Sequence, residues 1–235
     1  MCGRFAQLLS YLSNAFRNKP RQRFNNVIKQ AYILLGPVNV FFQKKIRGTE
    51  EINVTLKKQM KRINTNPHIV EIKLKRNKYF PNNSMPVIIY RQALELPKQK
   101  NRAAVIVEKI FAKNGWSNSW KNGIYDFHHY HSNTHECMAI CSGKAIVMLG
   151  GPSGKKAELK PGDVLIIPAG TGHKCMKCSE DFICVGAYPQ GTDYDLLKGT
   201  AKELKDAVKK IAGVPVPKKD PVFGKTGFLK TYWSR

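Results

Sequence analysis

Two segments of this 235-residue chain constrain the rest. The first runs Gly123-Ile-Tyr-Asp-Phe-His128-His129-Tyr130-His131-Ser-Asn-Thr-His135-Glu136-Cys-Met-Ala-Ile-Cys-Ser-Gly143. On a strand, side chains two residues apart point the same way, with about 7 Å between their Cα atoms. His129 and His131 can then reach one metal ion from one face. Ser132-Asn133-Thr134 has turn composition, which lets Glu136 open a returning strand and offer an oxygen to the same ion. An unbroken strand would put Glu136 on the wrong face, so the turn is essential. A register different by one residue would substitute His135 as the ligand. The second segment, Gly162-Asp-Val-Leu-Ile-Ile-Pro168-Ala-Gly170-Thr-Gly-His173, reads as a turn, a short apolar strand, a Pro/Gly loop and a histidine opening another strand.

The texture around these segments is strand-rich from Pro81 onward. Strands are expected at Pro86–Tyr90, Tyr125–His131, Glu136–Cys141, Ala145–Leu149, Val164–Ile167, His173–Cys178 and Phe182–Tyr188. Ser142-Gly143, Pro152-Ser-Gly154 and Pro161-Gly162-Asp163 punctuate them. Short strands with such turns predict an all-β barrel or jelly roll. Helices are expected at Ala103–Phe111 and at Ala201–Ile211, the second stopped by Gly213. The tail from Val214 to Trp233 should run extended around the barrel. Residues 1–80 read as a basic amino-terminal extension, with 57–78 a Lys/Asn-rich linker, and residues 81–235 as the folded domain.

The formal charge of +24 is uneven. Residues 1–80 carry 17 Lys and Arg against 3 acids, and the remaining 155 carry 23 against 13. Such asymmetry marks an appended basic segment, able to meet nucleic acid or acidic lipid. No apolar run reaches the roughly 18 residues of a membrane span, and no secretory signal pattern is present. A cytoplasmic protein is the default expectation. The alternative is organelle targeting, because the first 49 residues hold no acid. Six cysteines without a signal sequence do not suggest a disulfide framework. Most read as small apolar filler. Cys175-x2-Cys178 has metal-ligand spacing but no second pair, and Cys175, two residues past His173, should face the same cavity as that histidine.

Together the two segments resemble the cupin superfamily. Its first motif, G-x5-H-x-H-x4-E-x6-G, is met at Gly123, His129, His131, Glu136 and Gly143. Its second, G-x5-P-x-G-x2-H-x3-N, is met at Gly162, Pro168, Gly170 and His173, with Lys177 where asparagine is expected. Asn114 through His131 and Val185 through Asp195 resemble, more narrowly, the bacterial YjlB-like cupins, over roughly Pro81 to Trp233. The resemblance implies a single jelly-roll barrel, a double-stranded β-helix, with flanking helices; that family brings no agreed reaction with it. A separate likeness lies at Met1-Cys2-Gly3-Arg4-Phe5-Ala6-Gln7, which is similar to the opening of the SOS-response-associated peptidase family. There the residue matching Cys2 crosslinks to abasic DNA. The rest of that domain has no counterpart here, so no crosslinking is expected.

The expected metal ligands are His129, His131, Glu136 and His173. Imidazoles with one carboxylate suit one divalent transition metal: Fe, Mn, Ni, Cu or Zn. Four protein ligands on a six-coordinate ion leave two positions for a small polar molecule, or for that molecule and O2. Tyr125 and Phe127 share the parity of His129 and should line the cavity floor. His128 should face the other way. Trp116 and Trp120 are expected to cover an open end, and Asp193 or Asp195 to cap a turn. Three function classes follow: a small metal-dependent oxygenase, isomerase or lyase; a cupin binding metal and ligand without turnover; and a nucleic-acid-associated protein acting through the basic arm. A second copy of the chain, as a homodimer, completes the expected partners.

Overall fold

The computed structural model describes residues 62–233; the amino-terminal cysteine motif, the acid-free stretch and most of the basic extension lie outside the described residues. Short apolar and β-branched runs form the strands: β1 His68–Ile72, β2 Val87–Arg91, β3 Trp116–Asn122, β4 Glu136–Ser142, β5 Ala145–Leu149, β6 Lys155–Leu159, β7 Val164–Ile167, β8 His173–Cys178 and β9 Ile183–Pro189. They pair in two sheets, β1-β2-β7-β4-β9-β3 and β6-β5-β8, and every pairing between these strands is antiparallel. The inner faces of both sheets share one apolar core, with Met138, Ile140 and Leu165 from the larger sheet and Val147, Leu149 and Ala157 from the smaller. This is the expected all-β jelly-roll barrel.

The larger sheet is also covered on its outer face. Helix α1, Lys100–Lys113, lays Ala103, Ala104, Val107, Ile110 and Phe111 against it. The tail adds Leu229 and Trp233 from the short helix α3, Leu229–Trp233. The intervening helix α2, Ala201–Ala212, begins in a reciprocal capping box between Thr200 and Glu203 and packs Ala207 and Ile211 beside Phe80 and Tyr130. β4 is therefore buried on both sides. Met138 and Ile140 face the barrel, while Cys137, Ala139 and Cys141 face the outer layer. Each fully buried large aliphatic side chain contributes about 1.5–3 kcal/mol.

Several expectations need correction. The stretch read as a linker contains β1, which pairs with β2 from His68↔Arg91 to Ile72↔Val87. The sheet thus opens upstream of Pro81. Residues 125–131 do not form a regular strand: a bend at Asp126-Phe127 precedes two isolated bridges, His129↔His173 and Tyr130↔Leu197. The tail is not extended throughout, since α3 ends it, and the Trp233 indole N–H donates to the Pro86 carbonyl (2.9 Å). Cys175 and Cys178 are joined in a disulfide, whereas Cys137, Cys141 and Cys184 are free and buried. Among the described residues, no helix is long and apolar enough to cross a membrane.

Candidate metal centre

The site sits where strand ends meet. Glu136 opens β4 opposite Ile167, the last residue of β7. His173 opens β8, and reciprocal backbone bonds tie it to His129 (3.1 and 2.8 Å). The bend at Ser132-Asn133 returns the chain as the sequence required. Asp195 holds that bend, its carboxylate accepting from the Ser132 backbone N–H (2.6 Å) and hydroxyl (2.5 Å).

One ring nitrogen from each of His129, His131 and His173 lies within 4.8 Å of the other two. Their tautomers follow from their backbone partners. Nδ1 meets the Phe127 carbonyl in His129 (3.1 Å), the Asp195 carbonyl in His131 (2.5 Å) and the Thr171 carbonyl in His173 (3.0 Å). A carbonyl can only accept, so each Nδ1 carries the proton and each Nε2 keeps its lone pair. Nε2 of His131 and of His173 lie 3.5 and 3.3 Å from Glu136 Oε2. All four side chains are almost fully buried.

Glu136 is satisfied on one side only. Trp120 Nε1–H donates to the Tyr188 hydroxyl (2.8 Å), which donates to Glu136 Oε1 (2.9 Å). Oε2 accepts no hydrogen bond. A buried carboxylate oxygen without a donor is costly, and imidazole lone pairs converging beside it make a cation the natural complement. A proton on a facing imidazole can stand in for that cation. Burial alone would raise the Glu136 pKa, but His131 and His173 more than offset it and hold the group well below the carboxylate range. Burial, and then His173, push His129 down to about 3. For His131 burial opposes charging, yet Glu136 outweighs it and the net shift is upward. The donor set fits a divalent transition metal, and these four residues would hold it.

The other sequence-derived candidates separate. His135, the residue before β4, does not line the cavity that Glu136 enters. It packs 4.8 Å from the Trp233 ring, its Nδ1 accepts from the Ala169 N–H (2.9 Å), and burial lowers its pKa to about 4. Tyr125 lines the cavity, but at its mouth rather than its floor. Phe127 does not line it; its ring stacks on Tyr125 and its carbonyl holds His129. The bend at Asp126-Phe127 breaks the parity on which both were assigned. Cys175 packs in the barrel core, disulfide-bonded and absent from the cavity wall. His128 turns its edge to Phe80. Trp116 is buried in the outer layer, whereas Trp120 reaches the site.

Sequence reasoning missed Tyr188, Tyr194, Ile124 and Met138, which complete a cavity of about 180 Å³ with Trp120 and the four central residues. One signal was present. Gly186 lies two residues before Tyr188 on β9, and a Cβ there would overlap the Trp120 ring. Only glycine lets the indole lie across β9 and reach the Tyr188 hydroxyl.

A double-sheet barrel with imidazoles and a carboxylate at one end defines a cupin, and the Cupin domain family matches residues 120–185. The chain belongs to the YjlB-like family of that superfamily: it is 39% identical over 154 residues to the uncharacterized protein YjlB of Bacillus subtilis (strain 168), covering 65% of this chain and 89% of that protein. Among solved structures it resembles a TDP-quinovose 3,4-ketoisomerase from Campylobacter jejuni, at 17% identity and TM-score 0.32 over 38% of this chain and 75% of that one. It also resembles the acireductone dioxygenase of Bacillus anthracis with cadmium in its active centre, at 19% identity and TM-score 0.29 over 37% and 59%. At such scores neither likeness bears on the reaction here.

Proposed function

We propose that His129, His131, His173 and Glu136 hold one divalent transition metal, and that the chain is an enzyme acting on a small polar molecule as an oxygenase, isomerase or lyase. The observation that carries this reading is the convergence of imidazole lone pairs on a buried carboxylate oxygen that has no donor. The metal would supply Lewis-acid or redox chemistry to a carbonyl or carboxylate held beside it. The chain's own residues supply the rest. The carbonyls of Phe127, Asp195 and Thr171 fix the three rings. Tyr188, itself held by Trp120, fixes the Glu136 carboxylate through Oε1 and leaves Oε2 directed at the centre. Ile124 and Met138 give the cavity an apolar wall.

Protein loaded in turn with Fe, Mn, Ni, Cu and Zn should, with one of them, consume O2 or rearrange a small carbonyl compound, and His131→Ala should abolish the turnover. Full metal loading with no turnover across that panel would contradict catalysis and favour a metal and ligand store or sensor. Beside this reading stand a cytoplasmic location, a homodimer, and nucleic-acid contact through an appended basic arm, the last supported by 17 Lys and Arg against 3 acids in residues 1–80. Salt-dependent DNA binding that persists after deletion of residues 1–61 would rule out the arm as its source.

A further inference from the structure

The cavity is chemically unlike the chain that builds it. The chain has 40 Lys and Arg against 16 Asp and Glu, yet none of the described residues lining the cavity is Lys or Arg. Three lysines near the wall have partners outside it. Lys121 Nζ reaches Asn101 (3.3 Å), Lys198 lies over the Phe127 ring (5.2 Å) and Lys210 pairs with Asp195 (3.5 Å). The remaining wall is uncharged: Ile124 and Met138 are apolar, and Tyr188 and Tyr194 stack with ring centroids 4.8 Å apart.

Charge arithmetic then limits the ligand. Neutral imidazoles and one carboxylate carry one negative charge, and a divalent cation would leave the centre with one positive charge. One negative charge on a ligand could be matched there. A second would be desolvated with no cation to pair it, which is costly.

Resting on the metal-centre reading above, we infer that this cavity takes a small oxygen compound with an apolar face and at most one negative charge, and rejects doubly charged, phosphorylated forms of the same skeleton. The hydroxyl or carbonyl oxygens turn toward the histidine cluster, and the apolar face lies between the tyrosine pair and the Ile124–Met138 wall.

The test is calorimetric binding to the metal-loaded full chain at physiological ionic strength, where the long-range pull of a basic protein on anions is screened within about 8 Å. Two matched pairs serve as probes: dihydroxyacetone with dihydroxyacetone phosphate, and glyceraldehyde with glyceraldehyde 3-phosphate. The uncharged member of a pair should bind at least about tenfold more tightly. Tyr194→Arg places a cation at the half-exposed mouth and should move the preference about tenfold toward the anionic member. Equal or tighter binding of the anionic members, binding by no probe at all, or a preference unmoved by Tyr194→Arg would overturn the inference. Metal content measured on the same samples separates the two failures. A full site with the wrong preference defeats this inference alone, and a site that takes up no metal defeats the reading beneath it as well.

Discussion

Asp220, beneath the outer face of the six-stranded sheet, and Glu136, at its inner face, are both buried carboxylates with opposite surroundings. Asp220 is saturated. Its Oδ1 accepts from the backbone N–H groups of Val222 (2.8 Å) and Phe223 (2.9 Å), and its Oδ2 from the Tyr90 hydroxyl (2.6 Å) and the Leu229 N–H (3.2 Å). Burial still outweighs these donors and raises its pKa. Glu136 has a single hydroxyl donor on one oxygen and none on the other. Its pKa moves down because imidazoles that can take up a proton, rather than fixed backbone donors, face it. The carboxylate that fastens the tail is fully satisfied by the fold, whereas Glu136 keeps one oxygen without a donor, as the proposed metal site requires.

Breaking each carboxylate in turn should produce different losses. Asp220→Ala strands Tyr90 and three backbone donors, so chemical denaturation should show about 3–5 kcal/mol less stability with metal affinity unchanged. A loss below about 1 kcal/mol would mean the tail is not fastened there.

A second contrast lies between His135, the residue before β4, which packs against Trp233, and the histidines clustered around Glu136. The folded pKa of His135, about 4, lies below its ordinary 6.5, so the unfolded chain binds the proton more readily throughout that window. Its contribution to stability is full above pH 6.5 and declines as pH falls toward 4, by about 3 kcal/mol over the whole interval at 1.36 kcal/mol per unit. His135→Gln should flatten the acid limb of the stability profile by that amount. Identical acid limbs in the two proteins would show that His135 does not carry the slope.

Glu136→Gln should lower metal affinity by about 100-fold, with a far smaller loss of stability than Asp220→Ala. Tyr188→Phe, which removes only the donor to Oε1, should cost about tenfold in metal affinity. Equal affinities for Tyr188→Phe and wild type, read by competition with a chelator, would show that the Trp120–Tyr188 pair does not position Glu136.

Where side-chain pattern and backbone geometry coincide, the sequence was readable. The four central residues stand at motif spacings, and turn residues at Ser132-Asn133 set the face on which Glu136 emerges. Gly143, at φ +66°, closes β4 in the left-handed region that its motif position anticipates. Illegible elements had weak patterns. β1 is an edge strand whose side chains are mostly part-exposed, so His68-Ile-Val-Glu-Ile72 shows no continuous apolar run amid its basic neighbours. β3 is largely polar and exposed, and its Trp120 joins the site through a glycine on another strand. Tyr125 and Phe127 were misplaced because parity assumes a regular strand, and the chain bends between them and His129.

Metal titration of the full chain, with elemental analysis of the loaded protein, tests the metal centre most directly. Wild type should take up one divalent ion per chain, and His131→Ala should hold it at least about 100-fold more weakly while still unfolding cooperatively. Sub-stoichiometric metal in wild type after reconstitution, or unchanged affinity in His131→Ala, would contradict the account.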